Sequence, residues 1–186
     1  MNNLSHHNIC RFNVIFFILL VFSNIILSGQ TRESLVKAGY IEKFTHFVQW
    51  PATGEADGRT SEFIIAVIGQ NSFGSDLNDI FSQVKVKDSI VKISYISSVD
   101  EIGNCMILFI SSSEKNNLDS ILEYTTGKPI LTIGDTRDFG NEGVIINLVA
   151  EDSYIKYEVN KNALEKSGLI INSMLLNYAI IIKSDG

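Results

Sequence analysis

Short apolar runs alternate with longer amphipathic segments in the middle of the chain, and this alternation restricts the fold more than any other feature. Residues 63–69, 105–110 and 129–133 are almost continuously apolar, as is typical of strands that are buried on both faces. Residues 90–96 alternate apolar and polar side chains, which also indicates a strand. Because amphipathic stretches separate these strands, we expect helical crossovers and a largely parallel sheet.

The pattern changes after residue 143. Residues 143–149 and 154–159 have the composition of two further strands, and their short separation fits an antiparallel hairpin. We therefore predict an α/β fold: a largely parallel central sheet of about six strands with a C-terminal antiparallel hairpin and helices on both faces. The predicted helical segments are 33–50, 73–84, 99–102, 118–124, 160–168 and 172–180, with a polar loop at 52–61. The expected N-caps are Thr31, Asn160 and Asn172, and the expected helix stops are Pro51 and Gly168.

The first 29 residues have the pattern of a secretory signal peptide. Arg11 precedes an apolar stretch over 14–27, and small or polar residues follow it. The stretch is shorter than the roughly 20 residues that a membrane-spanning helix needs. We expect cleavage near Gly29, export, and a single domain over residues 30–186.

Removal of this leader restricts the chemistry that is open to the chain. Cys105 becomes the sole cysteine and His46 the sole histidine, so we expect no internal disulfide, no metal site and a buried, unreactive Cys105. The remaining 14 basic and 21 acidic residues give a net charge of −7 without a basic stripe. Such a surface repels phosphate backbones, so nucleic acid is not an expected partner.

The loops that follow the predicted strands hold no convincing catalytic group. Gly69 and Gly74 lie in a turn that lacks the third glycine of a dinucleotide site and the lysine of a phosphate loop. Asp135 and Asp138 flank an arginine, which favours a solvated turn over acid–base catalysis. Ser111, His46 and Asp135 are the residue types of a catalytic triad, but the sequence contains no nucleophile elbow to position the serine. We therefore expect no enzyme activity and no cofactor.

Phe44, Phe47 and Trp50 form an aromatic row at three-residue spacing. Such a row occurs in two settings. It is most often part of a hydrophobic core, but it can also form a platform for a partner or a ligand. The spacing alone does not decide between them.

Seven segments in order resemble the YfiR family. Residues 40–51 resemble the family's opening motif, which ends at Trp-Pro, and residues 65–69, 105–110 and 130–135 resemble three of its strands. Residues 143–148 resemble its "G-x-I-I-N-F" strand, and residues 157–160 resemble its "F-E-I-N" strand end. Ala163 with residues 168–176 resembles its closing motif, except that Met174 stands where a basic residue is expected.

The resemblance implies a periplasmic, frequently dimeric regulator without catalysis. Members of the family repress an inner-membrane diguanylate cyclase by binding its periplasmic sensor part, and so they lower cyclic-di-GMP and biofilm formation. Relatives that use disulfides respond to redox conditions, whereas the unpaired Cys105 puts that response in question here. A homodimer through the hairpin edge or through the first helix is compatible with the sequence, and the partner and the releasing signal stay open.

Six residues are the candidates for binding a partner or a ligand: Phe47, Trp50, Asp135, Phe139, Glu158 and Asn160. The alternative to a repressor of a membrane sensor is a periplasmic small-molecule binding module that serves a sensor kinase or an outer-membrane receptor. In that interpretation, the pocket lies near Asp135, Phe139 and the end of the first helix at Trp50.

Overall fold

The computed structural model describes residues 33–51, 62–151 and 154–182. The predicted signal peptide, its cleavage near Gly29, the Thr31 cap and the loop at 52–61 lie outside the described residues. In the described ranges, no helix has both the length and the apolar composition needed to cross a bilayer.

A mixed sheet of eight strands forms the centre of the fold. The strand order is β10-β8-β7-β6-β5-β2-β4-β3, and a separate antiparallel pair joins β1 to β9. Strands β4, β2, β5, β6 and β7 run parallel, and β7 and β8 form the predicted antiparallel hairpin. The strands are β1 (Val48–Gln49), β2 (Phe63–Ile68), β3 (Lys85–Val86), β4 (Ser89–Ile96), β5 (Ile107–Ile110), β6 (Leu131–Gly134), β7 (Ile146–Glu151), β8 (Tyr154–Asn160), β9 (Ile170–Ile171) and β10 (Ile180–Ile182).

Helices cover both faces of this sheet, as the sequence predicts. Helix α1 spans residues 33–47 of the described part and turns into β1 before Pro51. The others are α2 (Asp76–Phe81), α3 (Leu118–Thr125), α4 (Phe139–Glu142), α5 (Lys161–Ser167) and α6 (Ser173–Leu176), with short 3-10 helices at Val99–Glu101 and Ser112–Asn117. Asn160 and Asn172 cap α5 and α6 through their side chains, and Gly168 ends α5 at a φ of 69°. These three local signals are confirmed.

Two hydrophobic cores lie on opposite faces of the sheet, because successive side chains of a strand point to opposite sides. Ile65 and Val67 of β2 join α1 in the larger core, whereas Ala66 and Ile68 join α3 in the smaller one. All four residues of β5 are completely buried. The continuous apolar runs of the sequence therefore correspond to strands covered on both faces, as predicted.

The C-terminal helix is shorter than the sequence predicts. It ends at Leu176, and Ile180–Ile182 forms β10, which pairs in parallel with β8. The apolar residues from 175 to 180 satisfy a helical period as well as a short strand, so periodicity alone could not separate the two. Helix α2 is likewise shorter than the predicted 73–84, and β1, β3, β9 and β10 are additional short strands.

Candidate functional site

Side chains of the segment after β5 contact the turn after β2 at the crevice where open parallel sheets usually bind ligands. This crevice lies between β2 and β5, where the connections leave the sheet in opposite directions. Gln70 donates its backbone N–H to Ser113 Oγ at 2.9 Å. Gly69 has a φ of 88°, and a Cβ at this position would lie 2.6 Å from Glu114 Oε1. Ser113 and Glu114, from the segment after β5, therefore lie directly against the turn after β2.

Asp135 lies at the same edge of the sheet, in an ion pair with helix α1. Lys37 Nζ contacts Asp135 Oδ2 at 2.7 Å and Glu33 Oε1 at 2.6 Å. Burial opposes the charged form of Lys37, but the hydrogen bonds to the two carboxylates outweigh it and raise the pKa of the ammonium group. The ion pair therefore joins helix α1 to the loop after β6.

His46 and Ser111, the other two residues of the hypothetical triad, do not form a catalytic triad with Asp135. His46 is exposed, and its Nε2 pairs with Glu42 Oε1 at 2.6 Å on the same helix. Ser111 is buried, with 3% of its surface exposed. Cys105 is also buried, and desolvation raises the pKa of its thiol to about 12. The prediction that Cys105 is a buried small residue is confirmed.

Glu158, which is half-buried, and Asn160, which is buried, belong to a polar network between secondary-structure elements. Asn147 Nδ2 donates to Glu158 Oε2 at 2.9 Å and to the Thr136 carbonyl at 3.0 Å. Asn160 Nδ2 donates to the Gly140 carbonyl at 2.8 Å. The network therefore joins the hairpin to α4 and to the loop before it. Within the described ranges, no cluster of His, Cys, Asp and Glu has the makeup of a metal site.

The aromatic candidates divide between the core and the surface. Phe44 and Phe139 are completely buried. Trp50 Nε1 donates to the Met106 carbonyl at 3.1 Å, and its ring meets Phe63 edge-on with centroids 5.2 Å apart. Phe47 is only partly buried and lies beside an open groove. Of the six candidates, Phe47 is the one that lines this groove.

We call this surface the aromatic groove. Its volume is about 350 Å³, and α1, β8 and the α6 region build it. Two of the tyrosine hydroxyls donate hydrogen bonds to backbone carbonyls. Tyr40 donates to the Ile155 carbonyl at 2.8 Å, and Tyr157 donates to the Leu175 carbonyl at 2.7 Å. Burial, together with the nearby Tyr40 and Tyr178, raises the pKa of Tyr157. The lining residues are Tyr40, Lys43, Phe47, Tyr157, Met174, Leu175 and Tyr178.

Sequence reasoning missed Met174 and Tyr178 as site residues. They are 60% and 82% exposed, which is unusual for large apolar side chains. In a helix over 172–180, the apolar spacing predicts a buried stripe of Leu175, Leu176, Ala179 and Ile180, which leaves Met174 and Tyr178 outside it. The prediction is wrong for Ile180, which is 46% exposed, because the helix ends at Leu176.

A second cavity, also of about 350 Å³, lies between α3, α4 and α5, and Asn160 lines it. Neither of these two cavities includes Trp50, Asp135 or Phe139 among its lining residues.

Comparisons with known proteins give a family and several distant structural likenesses. No curated protein matches the chain in a sequence search. A crystal structure of an ABC domain in complex with L-Trp from Streptococcus pneumonia aligns with a TM-score of 0.49 and 12% identity, over 64% of this chain and 56% of that one. A conserved domain protein from Vibrio cholerae O1 biovar El Tor aligns with a TM-score of 0.43 and 11% identity, over 66% and 55%. The chain thus spans about half of either structure, and likenesses this distant say nothing about its ligands.

The family comparison is more extensive. The model described as YfiR/HmsC-like matches residues 34–180, from the first described turn of α1 to the start of β10. The match includes the Trp-Pro junction, the buried strands, the hairpin with its polar network, and the aromatic groove. The chain therefore belongs to the YfiR/HmsC-like family.

Proposed function

We propose that this chain is an exported, non-enzymatic regulator that binds and represses the periplasmic sensor part of an inner-membrane signalling protein. The expected partner is a diguanylate cyclase, so that repression lowers cyclic-di-GMP and biofilm formation. The observation that carries the proposal is the family match over residues 34–180, since the family is a regulatory one.

The contacts at the crevice support a role without catalysis. Where a parallel sheet usually binds its substrate, Ser113 and Glu114 lie against Gly69 and Gln70, and Asp135 is held by Lys37. A regulator needs no such crevice, because it acts by binding its receptor's inactive conformation more tightly than the active one.

The aromatic groove is the surface we assign to the receptor. Tyrosine, methionine and phenylalanine are enriched in protein interfaces, where their large side chains supply most of the binding energy. Met174 and Tyr178 are exposed at its mouth. Lys43 is exposed beside them and forms no ion pair within the described part of the chain. We therefore expect a receptor segment with an apolar face and an acidic side chain that reaches Lys43.

The test compares two substitutions in cells that lack the chromosomal copy of the gene. Met174→Glu adds a charge in the groove, whereas Ile90→Glu makes the same change at an equally exposed apolar residue of β4. Wild type and Ile90→Glu should lower cyclic-di-GMP, and Met174→Glu should not. Binding of the purified chain to the sensor domain should weaken about tenfold or more with Met174→Glu only.

Thermal melting of both variants separates loss of binding from loss of folding. Both should melt close to the wild type, because exposed substitutions change stability by roughly 0.5 kcal/mol or less. The proposal fails if deletion of the gene leaves cyclic-di-GMP unchanged and the purified chain binds no periplasmic sensor domain.

A further inference from the structure

The inner wall and the rim of the second cavity differ in burial and in charge. Its inner wall includes the buried side chains of Ile130 and Ile145. Its rim includes Asn141, Glu142 and Lys166, which are exposed. A volume of about 350 Å³ is at the small end of the range for ligand pockets, which favours a molecule of few heavy atoms.

The buried polar groups of the inner wall already have partners. Thr125 and Ser167 donate their hydroxyls to helix carbonyls, and Thr132 Oγ1 accepts the Ile145 N–H at 2.9 Å. The Asn160 amide donates to Gly140 and accepts from Ala163. The wall therefore combines aliphatic side chains with polar groups that already have partners, and recognition of charge falls to the rim.

The rim carries one charge of each sign. Glu142 lies at the end of α4 and Lys166 in the last turn of α5. Neither forms an ion pair with any residue in the described ranges. An anion alone would be repelled by Glu142, and a cation alone by Lys166. A molecule with both charges satisfies both side chains.

From this arrangement we propose that the cavity binds a small zwitterion with a branched aliphatic skeleton. Its carboxylate contacts Lys166, its ammonium group contacts Glu142, and its alkyl part lies against Ile130 and Ile145. The cavity shares no lining residue with the aromatic groove. The inference is therefore independent of the proposed function, and it is tested on the purified chain without any receptor.

The probe is L-leucine, titrated calorimetrically into the purified chain at millimolar concentrations. Two matched analogues isolate the charges: isocaproate lacks the ammonium group and isoamylamine lacks the carboxylate. We expect saturable binding of one leucine per chain, with each analogue about tenfold weaker or more. Absence of saturable leucine binding, or equal binding of either analogue, overturns the proposal.

Substitutions then test whether leucine binds in this cavity. Lys166→Gln and Glu142→Gln should each weaken leucine about tenfold. Lys161→Gln is the matched control, because Lys161 is exposed on the same helix but does not line the cavity. Equal loss in all three variants, or no loss in any, shows that leucine binds elsewhere and contradicts the assignment.

Discussion

Gly140 lies in α4 with its Cα turned towards the ends of two side chains. A Cβ at this position would lie 2.7 Å from Glu158 Oε2 and 2.8 Å from Ile182 Cδ1. Both atoms belong to side chains with some freedom, but Glu158 is held by Asn147. Glycine at residue 140 is therefore required by close packing, not by an unusual backbone angle.

We expect Gly140→Ala to lower the free energy of unfolding by about 1–3 kcal/mol, as overpacking does. Gly39→Ala in α1 is the matched control, since a Cβ there meets nothing within 4 Å. It should raise stability by about 0.5–1 kcal/mol through helix propensity. Urea denaturation measures both changes, and equal effects would contradict the packing argument.

A substitution at Asn147 that replaces only the amide nitrogen by oxygen tests the polar network. Asn147→Asp replaces the amide that donates to Glu158 Oε2 at 2.9 Å by a second carboxylate. We expect a loss of about 1–3 kcal/mol at neutral pH, because two carboxylates in contact at a partly buried position repel each other. The loss should shrink as the pH falls, since one carboxyl takes up a proton and again donates a hydrogen bond.

The double variant Asn147→Asp/Glu158→Gln is the control for this charge effect. It removes the repulsion and should recover most of the stability at neutral pH. If it is as unstable as the single variant, the cost arises from the lost hydrogen bond to the Thr136 carbonyl and not from repulsion between the two carboxylates.

At the scale of elements, helix α1 is fastened to the carboxyl edge of the sheet at two points. Lys37 pairs with Asp135 after β6, and Ser34 Oγ donates to Asp76 Oδ2 of α2 at 2.5 Å. The apolar stripe of Ala38, Ile41 and Phe44 holds the rest of the helix in the core. The polar contacts thus fix the end of the helix that the apolar stripe does not reach.

We expect Lys37→Met to lower stability by about 1–2 kcal/mol, because it leaves Asp135 without its partner. Lys43→Met, on the exposed face of α1, should change stability by less than roughly 0.5 kcal/mol. The pKa of Lys37 is raised from 10.5, so its contribution is complete below pH 10.5 and is lost as the pH rises through the folded-state value. Denaturation of the wild type and of Lys37→Met should therefore converge only at strongly alkaline pH.

At the scale of the whole molecule, stability should be graded from the centre of the sheet to its edges. All four residues of β5 are completely buried, and β2 and β6 flank them. β10 has a partner on one side only, and Ile180 is 46% exposed. A chain that unfolds locally should open first at this edge.

Native-state hydrogen exchange should show the slowest amides in β5 and exchange that is faster by orders of magnitude in β10 and in the β1–β9 pair. The central amides should exchange only through global unfolding. Protection of β10 equal to that of β5 would contradict this gradient and would indicate that the edge is covered in solution.

The sequence by itself determined the elements whose signals are local. The buried strands follow from runs such as residues 105–110, and the ends of α5 follow from Asn160 and Gly168, because a cap acts on backbone groups within a few residues. Only the tertiary structure decided which polar residues meet. Lys37 and Asp135 are 98 residues apart, and nothing near either residue specifies the other.

The candidate site shows the same division. The sequence drew attention to Phe47, which lines the aromatic groove, but it could not foresee that Glu158 and Asn160 bind Asn147 and Gly140. Nor could it assign residues 180–182 to a strand, because three isoleucines fit a helix and a strand equally well until β8 offers them backbone partners. Local periodicity and caps are encoded in neighbouring residues, whereas pairing between distant segments exists only once the chain has folded.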